Sequence, residues 1–171
     1  GPGGRPEAVV IGIPGPVDYS AGVPLMLPNL PEWEGHVQAS RLEAELGLPV
    51  ALANDADLAA LGEYTYGAGR PSTDMVYVTV STGVGAGVVL GGKLVRGRLS
   101  LAEIGHTIID RRSGETVESL GSGTALGRLS GEAGASVAAR AAEGDVEAAR
   151  QFREVAESLA IGVFNLAHLF S

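Results

Sequence analysis

The spacing of apolar and polar residues predicts alternating strands and helices in the first part of the chain. A β-branched run at 8–15 ends in Gly and Pro, which indicates a buried strand that leads into a loop. Residues 36–46 place apolar side chains on one helical stripe, and Gly47 follows as a C-cap. The run 48–54 predicts the next strand, and acidic residues after it suit the first turn of a second helix. This order favours a parallel α/β layer.

The pattern changes in the second part of the chain. Residues 74–97 predict three strands, with a Gly-rich turn after the first and a tight turn at Gly91 and Gly92 after the second. Such a meander is antiparallel, so we place a subdomain boundary near 68–74. From residue 122 onward the pattern is helical. The last helix is predicted at about 145–170, because apolar residues recur there at steps of three and four.

Composition and charge narrow the classes of function. The 171 residues are 45% hydrophobic and 19% charged, which is typical of a folded globular protein. A formal net charge of −8 leaves no basic face for a phosphate backbone, so we expect this chain to bind no nucleic acid. No apolar run approaches the ~20 residues that cross a bilayer, so no membrane partner is expected. The absence of cysteine excludes disulfides and fits a cytoplasmic location.

Asn54 and Asp55 are the first candidates for chemistry, since they follow the predicted strand 48–54. Polar groups at the carboxyl end of a strand in an α/β sheet lie where ligands usually bind. A carboxylate there can accept a hydroxyl proton as general base, with Asn54 orienting the same substrate. The alternative is that Asp55 only caps the helix, because Asp and Asn are favoured N-caps.

Two further segments carry polar candidates. The segment STGVGAG brings glycine amides and the hydroxyls of Ser81 and Thr82 to one bend, which is typical of an anion-binding hairpin or of a glycine turn without a ligand. Glu103 and His106 lie three residues apart in AEIGHTIID. They either converge on a polyhydroxylated ligand or form an ordinary hydrogen-bonded pair. Two ligands are too few for a closed metal site.

The order of these segments resembles the ROK family of bacterial sugar kinases and sugar-responsive repressors. The segments that carry the resemblance are GIPGPVD, PNLPEW, LPVALANDADLAALGEYTYGAG, VYVTVSTGVGAGVVLGGKLVRG, AEIGH and VESLGSGTAL. The resemblance implies an α/β, actin-like ATPase (ribonuclease H-like) fold that is partial, with pieces of both lobes. It implies that residues 1–70 belong to the N-terminal sugar-binding lobe and residues 71–171 to the C-terminal nucleotide-binding lobe.

The resemblance also implies roles for individual residues. Asp55 matches the catalytic base, which deprotonates the sugar hydroxyl that attacks the γ-phosphate of ATP. The residues that match sugar-contacting positions are Gly15, Asn29, Asn54, Asp55, Glu103, His106 and Glu118. The residues that match the phosphate-binding hairpin are Ser81, Thr82, Gly83 and Gly85. With these matches Asp55 is better interpreted as a base than as a cap alone, although the two roles are compatible.

The chain departs from the family pattern at two places. The Cys-rich zinc-binding segment that many members carry after EIGH is replaced here by TIIDRRSGETVES, so we expect no zinc and no other protein-bound metal. The family's first phosphate loop, Asp-x-Gly-Gly-Thr, and its Gly-rich adenosine segment have no counterpart in the chain. We therefore expect a central fragment that is inactive alone and forms a homo-oligomer through uncovered apolar surface.

For the full-length protein the resemblance implies an ATP-dependent hexose kinase of glucokinase type, with a small-molecule sugar as substrate and ATP and Mg²⁺ as cofactors. The alternative is the sugar-sensing domain of a ROK-family transcriptional repressor. The joint presence of the sugar-site residues favours the kinase. A helix-turn-helix segment upstream of Gly1 would instead indicate the repressor.

Overall fold

The structure is a computed structural model that describes residues 4–27, 30–97 and 103–170. The strands are β1 (Val9–Ile13), β2 (Val17–Asp18), β3 (Val23–Pro24), β4 (Val50–Asn54), β5 (Met75–Val80), β6 (Val84–Leu90) and β7 (Lys93–Leu94). The helices are α1 (Ala39–Leu46), α2 (Asp55–Tyr66), α3 (Val117–Gly121), α4 (Gly123–Ser130), α5 (Gly134–Ala142) and α6 (Val146–Leu169), with single 3-10 turns at Pro31–Trp33 and Ile104–His106.

The chain divides into two compact units. The first unit comprises Gly1–Met75 and Gly87–Leu101, and the second comprises Val76–Ala86 and Ala102–Ser171. Strand β6 therefore begins in the second unit and ends in the first. The assignment of residues 1–70 and 71–171 to two lobes of a larger fold stays a prediction.

In the first unit, β1 and β4 pair in parallel, with Val9 opposite Val50 and Ile13 opposite Asn54. Helix α1 connects them and ends at Gly47, whose positive φ of 65° is the left-handed conformation expected of a C-cap glycine. These elements confirm the strands and helices predicted from residues 8–66. The core beneath them is formed by Ile13, Val17, Leu27, Val50 and Leu52.

The predicted three-strand meander is also present, in the order β5-β6-β7. Within the first unit, the end of β6 pairs antiparallel with β7, with Val89 opposite Leu94. Gly91 and Gly92 connect these strands with φ values of 55° and 75°. Two consecutive positive φ angles match the right-handed twist of a hairpin, which confirms the tight turn predicted at these glycines.

Gly87 in β6 lies directly against α2 in the first unit. A Cβ atom at this position would be 2.5 Å from Cβ of Ala60 and 2.9 Å from the carbonyl oxygen of Ala56. Real Cβ atoms do not approach other atoms this closely, so strand or helix would have to shift. We expect Gly87→Ala to lower the free energy of unfolding by about 1–3 kcal/mol, measured by urea denaturation.

The matched control is Gly62→Ala in helix α2, where an added Cβ would meet no atom within 4 Å. There the change should raise the free energy of unfolding by up to about 1 kcal/mol, because alanine is the better helix former. Equal effects at the two positions would contradict the close packing of β6 on α2.

The second unit is largely helical. One cluster of its core contains Val84, Ala86, Ile104, Val117 and Leu166, and another contains Leu126, Val137 and Ala148. Asp145 caps the N-terminus of α6, since its side chain accepts a hydrogen bond from the N–H of Ala148 at 3.0 Å. This confirms the predicted last helix.

Helix α6 carries exposed apolar side chains along part of its length. Phe164 is 62% exposed and Leu169 is 72% exposed. The expected association of copies through such a surface stays a prediction. In the described part of the chain, no helix has both the length and the apolar composition required to cross a membrane.

Candidate active site

The carboxyl ends of β1 and β4 bring three predicted site residues together in the first unit. Because the strands are parallel and in register, the loop that leaves β1 and the helix α2 that follows β4 begin side by side. The side-chain amide of Asn54 donates a hydrogen bond to the carbonyl oxygen of Gly15 at 3.1 Å. Gly15 has a φ of 87°, a conformation that favours glycine. Gly15, Asn54 and Asp55 therefore form one cluster. Asn29 lies outside the described residues.

Asn54, not Asp55, is the N-cap of α2. Its Oδ1 atom accepts hydrogen bonds from the N–H groups of Ala56 at 2.9 Å and Asp57 at 3.1 Å. Asp55 is the first helical residue and is exposed. The interpretation of Asp55 as only the helix cap is therefore wrong, because Asn54 accepts the hydrogen bonds of the two free N–H groups in the first turn.

The Asp55 carboxylate keeps acceptor capacity for a substrate. Its Oδ1 atom accepts a hydrogen bond from the N–H of Ala56 at 2.9 Å. No described residue donates a hydrogen bond to Oδ2 of Asp55. By contrast, the side chain of Asn54 is nearly buried and already engaged at both its oxygen and its nitrogen. The amide thus has a structural role first, and only its second N–H hydrogen is left to orient a sugar.

Asp57, two residues beyond Asp55 in α2, is a buried carboxylate that is only 1% exposed. It accepts a hydrogen bond from the hydroxyl of Tyr19, a residue in the turn between β2 and β3. Burial raises the pKa of Asp57 above its ordinary value, while the Tyr19 hydroxyl and the Arg96 guanidinium act in the opposite direction. The sequence patterns identified none of these three residues as part of the site.

The predicted phosphate hairpin lies in the second unit and is tied to the N-terminus of α4. The carbonyl oxygen of Ser81 accepts the N–H of Gly123 at 2.7 Å, and that of Thr82 accepts the Thr124 hydroxyl at 2.6 Å. Ser81 and Thr82 are exposed at the bend. Gly83 follows them, whereas Gly85 is already inside β6.

Glu118 in α3 forms a hydrogen bond with the same hairpin. Its Oε2 atom accepts a hydrogen bond from the N–H of Val84 at 2.8 Å. Gly83 and Gly105 both pack against the Glu118 side chain, and neither position has room for a Cβ atom. Glu118 therefore connects the hairpin to the 3-10 turn that contains Gly105.

Glu103 directly precedes that 3-10 turn of the second unit, and His106 is the last residue of the turn. The backbone N–H of His106 donates a hydrogen bond to the carbonyl oxygen of Glu103 at 3.1 Å, and His106 is exposed. The spacing of three residues between Glu103 and His106 therefore closes a single turn, and the two residues do not share one face of a longer helix. Within the described ranges, no group of three or more His, Asp or Glu side chains is placed to hold a metal ion.

A cavity of about 930 Å³ opens beside the hairpin, entirely within the second unit. Its polar edge includes Ser81, Thr82 and Thr124, and its apolar wall includes Phe152 and Ala156 of α6. The sequence patterns gave no indication of this cavity, because its walls come from four separate segments.

These features define an α/β protein with polar groups at paired strand ends and, in its second unit, an apolar cavity beside a glycine hairpin. The ROK family model matches residues 4–171, and the chain belongs to the ROK family. The family identification confirms the α/β, actin-like ATPase fold expected from the motifs.

Individual relatives include enzymes and a regulator. The chain is 37% identical to the bifunctional enzyme NanE/NanK of Brucella melitensis over 95% of the chain and 33% of that protein. It is 38% identical to the xylose repressor of Caldicellulosiruptor bescii over 58% of the chain and 25% of that protein. A ROK family glucokinase from Streptomyces griseus, solved with glucose and AMPPNP, matches with a TM-score of 0.84 and 34% identity over 98% of this chain and 64% of that chain.

The chain spans about a third of the length of the NanE/NanK relative and a quarter of the length of the repressor. The relatives include sugar kinases, and the family also includes repressors. The activity and substrates of the whole protein are accordingly matters for a proposal.

Proposed function

We propose that the protein containing this chain is an ATP-dependent hexose kinase of glucokinase type. The proposal rests on the position of the Asp55 carboxylate, which is exposed at the carboxyl end of β4. Its Oδ2 atom accepts no hydrogen bond from any described residue. A general base needs an accessible carboxylate oxygen within reach of the hydroxyl whose proton it takes. The likeness to a glucokinase solved with glucose and AMPPNP supports this assignment.

In the proposed mechanism, Asp55 accepts the proton of a sugar hydroxyl as the hydroxyl oxygen attacks the γ-phosphate of ATP. The bond from the γ-phosphorus to the bridging oxygen breaks, and ADP leaves. Asn54 orients Asp55 by capping α2. The residues that we propose to contact the sugar are Gly15, Asn29, Asn54, Asp55, Glu103, His106 and Glu118.

The second unit offers a place for the nucleotide. A cavity of about 930 Å³ is within the size range of sites for small ligands and cofactors. Its apolar wall suits an adenine base, and the exposed hydroxyls of Ser81 and Thr82 suit phosphate oxygens. We propose Ser81, Thr82, Gly83 and Gly85 as the phosphate-binding residues. Mg²⁺ enters this proposal as part of the MgATP substrate, since it commonly binds through substrate phosphates.

The second candidate function is sugar sensing in a transcriptional repressor. The likeness to the xylose repressor of Caldicellulosiruptor bescii favours it. A sensor would bind sugar with the same polar residues and would transfer no phosphate. The two functions therefore differ in turnover and not in sugar affinity.

The experiment is a coupled assay of ADP release by the full-length protein with MgATP and a panel of glucose, mannose, N-acetylmannosamine and xylose. A kinase should turn over at least one hexose at about 10 s⁻¹, and the sugar phosphate should appear in equal amount. Calorimetric sugar binding without any ADP release would contradict the kinase and support the sensor. Reactions without sugar give the background of ATP hydrolysis.

A further inference from the structure

We propose that Tyr19 and Asp57 form a positioning pair that holds the Asp55 carboxylate in the orientation required of a base. The inference rests on the proposed function, because it concerns the same Asp55. It adds two residues that neither the motifs nor the family comparison identifies. All contacts that carry it lie within the first unit.

Two carboxylates in one helical turn differ in their exposure to solvent. Asp55 is exposed, whereas Asp57 is 1% exposed. Residues two apart on a helix point in different directions, so the anchoring of one fixes the direction of the other. An anchored Asp57 therefore sets the rotation of the first turn of α2 and with it the direction of Asp55.

The Tyr19 hydroxyl contacts residues on both sides of Asp55. It donates a hydrogen bond to Oδ2 of Asp57. It also accepts the N–H of Asn54 over a long 3.4 Å. A single oxygen thus bridges the end of β4 and the first turn of α2. Tyr19 lies in a turn more than 30 residues earlier in the sequence, so these two hydrogen bonds join separate segments of the chain.

The ring of Tyr19 is itself held in place by neighbouring residues. The Arg96 guanidinium lies over the ring, with Cζ 5.1 Å from the ring centroid, a typical cation–π arrangement. On the other side of the helix turn, β6 packs closely, since a Cβ atom on Gly87 would be 3.3 Å from Cα of Asp57. The pair is therefore held by several elements of the unit.

The pair of Tyr19 and Asp57 contributes to positioning more than to packing. Burying a carboxylate costs free energy that its hydrogen bonds only partly offset, so the pair adds little to net stability. Its particular contribution is directional, because a hydrogen bond restricts angle and distance in a way that apolar contact does not. Loss of the hydroxyl should therefore affect catalysis more than folding.

The test is Tyr19→Phe in the full-length protein, which removes the hydroxyl and keeps the ring under Arg96. We expect kcat to fall by about 10- to 30-fold and KM for the sugar to change by less than about 3-fold, because misplacement of a base affects the reacting geometry. Asp57→Asn keeps an acceptor for the hydroxyl, so it should keep kcat within about 3-fold of the unchanged protein. The matched control is Tyr66→Phe, a residue that is 85% exposed, which should change nothing.

A second measurement covers the case in which Tyr19→Phe loses stability. In an Asp55→Asn background the hydroxyl has no base to position, so adding Tyr19→Phe should lower the residual kcat no further. Multiplicative losses in the double variant, or an unchanged kcat in Tyr19→Phe alone, would overturn the positioning pair. An active Asp55→Asn variant would instead overturn the proposed function, so the two failures are distinguishable.

Discussion

Asp55→Asn should lower kcat by about 10²- to 10⁴-fold while the affinity for the sugar stays within a few-fold. The amide has the size of the carboxylate and can still accept the N–H of Ala56, but it cannot take a proton at neutral pH. Because Asn54 provides the cap of α2, the substitution should leave the helix start intact. Steady-state kinetics and calorimetric sugar binding of the full-length protein measure the two quantities.

Asp110→Asn is the matched control for this change. Asp110 is a half-buried residue of the second unit that directly precedes a turn, and its carboxylate accepts the N–H of Arg112 at 2.8 Å. The control should keep full turnover. If Asp55→Asn also keeps near-normal kcat, Asp55 is not the base, and the Asn54–Asp55 segment is only the start of a helix.

The second large effect is expected from filling the cavity of the second unit. Ala156→Trp places an indole on the wall formed by α6, in space that we assign to the adenine base. Overpacking costs about 1–3 kcal/mol, which corresponds to a loss of nucleotide affinity of about 5- to 150-fold. The dissociation constant of a non-hydrolysable ATP analogue, measured by calorimetry, checks this value. Sugar affinity should stay unchanged.

Ala160→Trp provides the comparison on the same helix. Ala160 is exposed and is not part of the cavity wall. The same bulk there should leave nucleotide affinity unchanged. Equal losses from the two variants would show a general effect on α6, and no loss from either would place the nucleotide elsewhere.

The elements that could be predicted from the sequence are those with a strong local signal. The β-branched run of β1 and the strand before Asn54 have patterns that neighbouring residues alone determine. The Gly91 and Gly92 turn is equally local, because only its two residues need positive φ. The Gly15–Asn54 cluster then follows from the parallel pairing of two predicted strands.

The remainder of the site depends on contacts between distant segments. Asp57 has the sequence context of any acidic residue in a first helical turn, and its partner Tyr19 comes from an earlier loop. The choice of Asn54 over Asp55 as the cap is a difference of one residue, which a pattern does not resolve. Glu118 carries no local signal either, because its bond to Val84 joins α3 to a distant hairpin.

Strand β6 offers an internal comparison of the two units. Val84 and Ala86 belong to the core of the second unit, whereas Val88 and Val89 are buried in the part of the strand assigned to the first. Amide hydrogens exchange with solvent when the structure around them opens, at a rate set by the free energy of that opening. Deuterium uptake along this one seven-residue strand therefore compares the opening of the two units in a single experiment, without a chemically attached probe.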